Sequence, residues 1–135
     1  MEKDWKRFVK ERYEEYKKIG YVECPAFGGE RVYFTQEGFD HLLMKKGKLR
    51  KRSEQMRKIH LFEHASLIIQ KTLQYSGYIK NIRTKNKGLP GSVAEFWELR
   101  KKMDEKFVYV IIRRINDGPK HFFSVKDRKH NEKDP

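Results

Sequence analysis

Apolar residues recur every three or four positions near the start of the chain, with Lys, Arg and Glu between them. These apolar positions are Trp5, Phe8, Val9, Tyr13 and Tyr16. This spacing is typical of an amphipathic helix that buries one stripe and leaves the rest in water. Gly20 follows as a natural stop, so the pattern predicts a first helix over residues 4–19.

The pattern then changes from loop to strand to helix. Residues 21–30 contain a proline and a glycine pair, which predicts a loop leading into a short strand over 31–35. Thr35 is placed to cap a brief helix over 36–46, which ends near the next glycine. Apolar residues at helical spacing over 50–75 predict a longer, central helix.

The last third of the chain is rich in β-branched and aromatic residues. It predicts a strand over 78–83 followed by a polar loop, and then strands over 93–100, 107–115 and 121–125. The connectors between the last three strands are short and of turn chemistry, so these strands are expected to be antiparallel. The tail KDRKHNEKDP is too polar to pack and is expected to fray.

Together these elements predict an α+β fold in which amino-terminal helices pack on an antiparallel sheet that ends in a carboxy-terminal meander. A chain of 135 residues is the size of one domain. We divide it into an amino-terminal helix (1–20), a core (31–126) and a polar tail (127–135).

Charge narrows the class of partner. The chain has 32 Lys and Arg against 19 Asp and Glu, a formal charge of +13, which favours a phosphate-bearing partner, RNA first, or an anionic membrane surface.

Cys24 is the only cysteine, so no internal disulfide can form and a reducing compartment fits. No secretory signal or apolar run of about 20 residues is present. These features predict a cytoplasmic protein that does not insert into membranes.

Two segments concentrate the cations. The first, which we call the basic ridge, consists of Lys45, Lys46, Lys48, Arg50, Lys51, Arg52, Arg57 and Lys58. The second contains Lys80, Arg83 and Lys85, and further candidates near the last turn are Lys120, His121 and Lys126. Most charge runs are solvated helix faces. Because one sign dominates here, we favour a phosphate-tracking surface.

Histidines are the candidates for proton transfer. His41 lies at the start of a predicted helix directly after a short strand, beside Asp40, which suits a proton-transfer group. Taken alone, however, His41 is better interpreted as an ordinary surface histidine at a helix start. His60 and His64 are four residues apart on one helical face, but no third ligand lies at a suitable spacing, so no metal site is predicted.

The strand FVYVIIRRI is apolar on both faces, which indicates a central strand. Arg113 or Arg114 emerges near its end, across a tight turn from His121 and Ser124. Strict alternation places Ser124 on the opposite face from His121. No GxSxG context surrounds Ser124, so a hydroxyl that contacts phosphate is more plausible than a nucleophile.

Residues 32–126 resemble the barnase–EndoU–colicin–RelE-like ribonuclease superfamily, in particular its small phage-associated domains. The resemblance lies in VYFTQEGFDHLL, in the long helix MRKIHLFEHASLIIQKTL, and in the closing strands FVYVIIRRI and HFFSVKDRK. It implies cleavage of RNA without a metal or other cofactor, in which the ribose 2′-OH attacks and a cyclic phosphate is left.

The resemblance also implies roles for individual residues. His41 looks like the general base or acid, Arg113 or Arg114 like the charge stabiliser, and Ser124 like a phosphate contact. Arg50 or Arg52 would supply a further cation. The leading hypothesis is a toxin-like or phage-derived endoribonuclease, for which an antitoxin or immunity protein is a possible partner. The alternatives are a non-catalytic RNA- or DNA-binding domain and a protein whose first helix packs against another chain.

Overall fold

Three helices and eight strands form in the described residues, 2–83 and 91–129, of the computed structural model, in which only the backbone of Arg83 and Lys129 is described. The helices are α1 (Glu2–Ile19), α2 (Gln36–Leu43) and α3 (Arg52–Lys71). The strands are β1 (Tyr21–Cys24), β2 (Glu30–Tyr33), β3 (Met44–Lys45), β4 (Lys48–Leu49), β5 (Gly77–Arg83), β6 (Ser92–Met103), β7 (Lys106–Ile115) and β8 (Lys120–Lys129).

Six strands form one sheet in the order β1-β2-β8-β7-β6-β5. Strands β5 to β8 are an antiparallel meander, so the predicted α+β class and closing meander are confirmed. Strand β1 was predicted as loop; its proline and glycines occupy only the tight connection to β2. Strand β2 pairs with β8 in parallel at Val32 and Tyr33, a pairing that local sequence does not indicate.

The helices pack on one face of this sheet. The core joins β6, β7 and β8 through Leu99, Ile112 and Phe122, all fully buried, to Ile68 of α3 and Tyr16 of α1. We call the opposite surface the open face. It carries the alternate side chains of the same strands, and its Ile79 is 60% exposed. Alternation along β6 and β7 therefore decides which residues are available to a ligand.

Helix α2 begins as predicted and ends earlier. Thr35 caps it, because its side-chain oxygen accepts a hydrogen bond from Gly38 N at 3.4 Å. The helix was expected to continue to residue 46, but it stops at Leu43 and the chain forms the hairpin β3–β4. Lys46 and Gly47 supply the positive φ angles that its two-residue turn needs. The basic ridge is thus a hairpin followed by the first turns of α3.

Strand β8 departs from the prediction in two ways. Ile112 pairs with Phe122 whereas Ile111 pairs with Ser124, so Phe123 is an extra residue in a β-bulge. The bulge moves Ser124 to the open face with His121, and the predicted placement on opposite faces was wrong. The strand also continues to Lys129, so residues 126–129 of the expected fraying tail are paired with β7. The rest of the tail, 130–135, lies outside the described residues.

Candidate functional site

Helix α2 lies directly against the edge of β8 because Gly38 has no side chain. A Cβ there would lie 2.6 Å from the Phe122 carbonyl oxygen and 2.6 Å from Tyr16 Oη. This close approach places Glu37 and His41, one helical turn apart, beside the open face.

We call the resulting group the histidine cluster. It consists of Glu37, His41, Arg113, His121 and Phe123.

Arg113 is the centre of the histidine cluster. Its Nε donates to His121 Nε2 at 2.8 Å and its Nη2 donates to Glu37 Oε1 at 2.6 Å. The guanidinium carbon lies 4.6 Å from the centroid of the Phe123 ring. The Arg113 side chain is only 11% exposed, so these contacts fix one cation at the edge of the open face.

His41 packs on the same aromatic ring. Its imidazole centroid lies 4.3 Å from that of Phe123. Partial burial lowers the pKa of His41 below its usual 6.5; the cations of Arg113 and Arg50 lower it further, and Glu37 opposes them. The ring is therefore neutral at pH 7, the state in which imidazole accepts a proton.

His121 has a different position in the hydrogen-bond network. Since its Nε2 accepts from Arg113, its proton is assigned to Nδ1, which donates to the Pro119 carbonyl. Burial, followed by the nearby Arg113 cation, lowers the pKa of His121, which keeps this neutral tautomer. His121 thus orients Arg113, and in this arrangement both of its nitrogens are occupied.

The two candidate arginines point to opposite faces. Arg114 lies on the helix side, where its Nε and Nη2 donate to Glu95 Oε1 at 2.8 and 2.6 Å, so only Arg113 joins His41. Ser124 lies on the open face opposite Ile111. Ile111 is two residues, about 7 Å, from Arg113 along β7.

Two of the predicted phosphate ligands are internal. Arg50 has a side chain only 9% exposed; it donates from Nε to the His41 carbonyl at 3.1 Å and pairs with Glu54 at 3.3 Å. Lys120 is 7% exposed and pairs with Glu30 at 2.7 Å. Both cations stabilise the fold where they lie, and this placement disagrees with the predicted contact with a ligand.

The remaining predicted cations differ in their surroundings. Lys45, Lys46 and Lys48 are exposed on the hairpin that directly follows the helix of His41. Lys51, Lys80 and Lys126 are exposed as well, and so are Arg52 and Arg57. Arg52 pairs with Glu2, and Arg57 pairs with Asp127. Lys85 and the side chain of Arg83 lie outside the described residues.

Sequence reasoning missed two members of the histidine cluster. Glu37 could have been found, since a carboxylate four residues before a histidine on a helix shares its face. Phe123 could not, because strict alternation gave no sign of the bulge that presents its ring between His41 and Arg113.

Comparison with known proteins adds no relative. The chain matches no protein-family model, no curated protein and no solved structure, so the ribonuclease resemblance stays a prediction. Within residues 2–83 and 91–129, no helix is long and apolar enough to cross a membrane.

Proposed function

We propose that the protein is a metal-independent endoribonuclease that cuts RNA at the histidine cluster. The observation that carries this proposal is that an imidazole and a fixed cation lie against the same aromatic ring. His41 and the Arg113 guanidinium both contact the Phe123 ring, at 4.3 and 4.6 Å. RNA cleavage by its own 2′-OH needs a proton acceptor beside a site where negative charge can build.

In the proposed reaction, His41 accepts the proton of the 2′-OH and the freed oxygen attacks the adjacent phosphorus. The bond from phosphorus to the 5′ oxygen breaks, which leaves a 2′,3′-cyclic phosphate and a 5′-OH. Arg113 stabilises the charge on the phosphorane. The leaving 5′ oxygen takes its proton from water, because the hydrogen bonds of His121 occupy both of its nitrogens.

The test is to incubate the purified protein with a structured RNA in EDTA and to analyse the ends of the products. We expect 2′,3′-cyclic phosphate ends from the wild type and their loss in His41→Ala. His64→Ala, which removes an exposed histidine of α3, is the matched control and should cleave normally. No cleavage by the wild type, or equal cleavage by His41→Ala, would refute the assignment.

The second candidate is a non-catalytic RNA- or DNA-binding domain. One observation favours it: Arg113 already donates to both Glu37 and His121, as in a network built for stability. In this case the protein would bind RNA, and His41→Ala would leave both binding and the intact RNA unchanged.

A further inference from the structure

The open face continues beyond the histidine cluster as rows of side chains across β6, β7 and β8. The first row is Phe96, Arg113 and His121, and the second is Glu98, Ile111 and Ser124. The third row is Arg100, Tyr109 and Lys126, and the fourth is Lys102, Phe107 and Arg128. The rows lead away from His41 in one direction, so the face has a polar beginning and a cationic far end.

The residues of the third row line a pocket on the open face. Arg100 and Lys126 are exposed on either side of Tyr109, whose side chain is 6% exposed. Lys126 Nζ lies 5.8 Å from the centroid of the Tyr109 ring. The volume of this pocket is about 280 Å³. The Cα atoms of Arg100 and Lys126 are two strand spacings apart, about 10 Å, so both side chains can reach one group above the tyrosine.

Two carboxylates border this pocket, and each has a partner. Glu98 Oε2 accepts from Ser76 Oγ at 3.2 Å. Asp127 pairs with Arg57 and, at 3.0 Å, with Lys106. Arg57 and Lys106 offset the charge of Asp127, whereas Glu98 keeps its charge because its partner is a neutral hydroxyl. Three cations, Arg100, Lys126 and Arg128, line the pocket against these two carboxylates, so its net charge is positive, which suits a phosphate rather than a metal ion or an amine.

The spacing of the rows fits an extended strand of nucleic acid. Successive rows are two residues apart, about 7 Å, and the third row is about 13 Å from Arg113. This repeat is comparable with the step between successive phosphates of an extended single strand. A strand whose scissile phosphate lies at Arg113 would bring a phosphate two steps away over the third row.

We propose that Arg100 and Lys126 form a subsite for a phosphate of the RNA strand that flanks the cut. This inference rests on the proposed ribonuclease function and deepens it. The substrate is single-stranded RNA of at least about four nucleotides, the length needed to span the first to the third row. A dinucleotide is too short to reach the third row, so it contacts the histidine cluster and not the subsite.

The experiment compares the cleavage of a dinucleotide with that of an eight-nucleotide RNA. We expect Lys126→Gln and Arg100→Gln each to raise KM for the longer RNA about fivefold, with kcat unchanged, because a contact remote from the reacting atoms is lost. Both variants should cleave the dinucleotide as the wild type does. Lys18→Gln, which removes an exposed charge from α1, is the matched control and should leave the cleavage of both substrates unchanged.

Several outcomes would overturn the subsite. They are an equal effect of Lys18→Gln on the longer RNA, an equal loss on the dinucleotide, or no difference in KM between variant and wild type. If the wild type cleaves nothing, the proposed function fails, and the subsite is then judged by the binding of an eight-nucleotide single-stranded DNA. Weaker binding by Lys126→Gln than by Lys18→Gln would support it, and equal binding would refute it.

Discussion

His41 owes its protonation state to where its ring lies. The imidazole packs on Phe123, and burial lowers its pKa below 6.5 more than Glu37 raises it. As the proton acceptor it is active only when neutral. We therefore expect kcat/KM for RNA to rise with pH through a midpoint below 6.5 and to level off above that midpoint.

A fall in kcat/KM as pH rises through this midpoint would contradict the assignment of His41 as the base. Such a fall is the behaviour of a general acid, which loses its proton as pH rises. The companion measurement is His41→Ala, which should lower kcat by about 10²- to 10⁴-fold, the usual contribution of a positioned acid or base. Circular dichroism of the variant should match the wild type, since the ring is only partly buried.

Lys58 is a second partly buried group whose charge depends on pH. Its Nζ donates to the Val125 carbonyl at 2.6 Å, and burial, followed by two nearby arginines, lowers its pKa to about 8. Between this pKa and the unfolded value of 10.5, the unfolded chain binds a proton that the folded chain does not. The free energy of unfolding should therefore rise with pH in that interval, by at most about 3 kcal/mol.

Lys58→Met lacks this titration. Compared with the variant, the wild type should gain stability between about pH 8 and pH 10, as measured by urea unfolding. Lys51→Met removes an exposed lysine about two helical turns away, at the start of α3, and its stability should follow that of the wild type. If the free energies of unfolding of the wild type and of Lys58→Met change with pH in parallel, folding does not perturb the pKa of Lys58.

At the residue scale, the sequence singled out His41 because it was expected at a helix start placed against the sheet. The ring does pack beside the sheet, on Phe123, but His41 lies in the last turn of α2, so the expected position at the helix start was wrong. Its role in proton transfer stays a prediction. The sequence could not choose between Arg113 and Arg114, because alternation says only that they face opposite ways. Which of the two faces carries the helices follows from the packing of α3 and α1, which is a property of the whole chain.

At the element scale, the histidine cluster depends on the contact between α2 and β8. In Gly38→Ala the new Cβ would meet the Phe122 carbonyl and Tyr16 Oη at 2.6 Å, so α2 must move away from the strand. We expect a loss of about 1–3 kcal/mol in the free energy of unfolding and a larger loss of RNA cleavage, because His41 moves with the helix.

Gly77→Ala is the control for this substitution. A Cβ at Gly77 would have the Glu98 side chain as its nearest neighbour, at 3.6 Å, which is an ordinary contact. Stability should stay within about 1 kcal/mol of the wild type, and cleavage should be unchanged. An equally stable and active Gly38→Ala would show that the close approach of α2 to β8 is not required.

The elements that the sequence predicted well are those with a regular period. Helices α1 and α3 and strands β5 to β7 follow their apolar spacing. The hairpin β3–β4 and the bulge at Phe123 were missed because each is a short irregularity in a longer pattern. Both lie next to the histidine cluster, so the site was harder to predict than the scaffold.

At the scale of the whole molecule, the cations that give the formal charge of +13 differ in how accessible they are to a ligand. Cations such as Arg50 and Lys120 are buried against carboxylates, whereas the hairpin lysines are exposed. Only cations that reach phosphate release counterions when RNA binds. Net charge alone therefore does not predict the salt dependence of binding, and the location of each charge does.

Two triple variants of equal net charge should therefore differ in how steeply their affinity for RNA falls with salt. Replacing Lys45, Lys46 and Lys48 with Gln removes three exposed cations beside the helix of His41, whereas replacing Lys3, Lys10 and Lys18 removes three exposed cations of α1. We expect the first change to reduce the slope of log K against log salt by about 2, and the second to leave it unchanged. Affinity for a single-stranded RNA, measured by anisotropy from low to high salt, gives both slopes. Equal slopes in the two variants would mean that RNA responds to the overall field, and the hairpin would then lose its role as part of the binding surface.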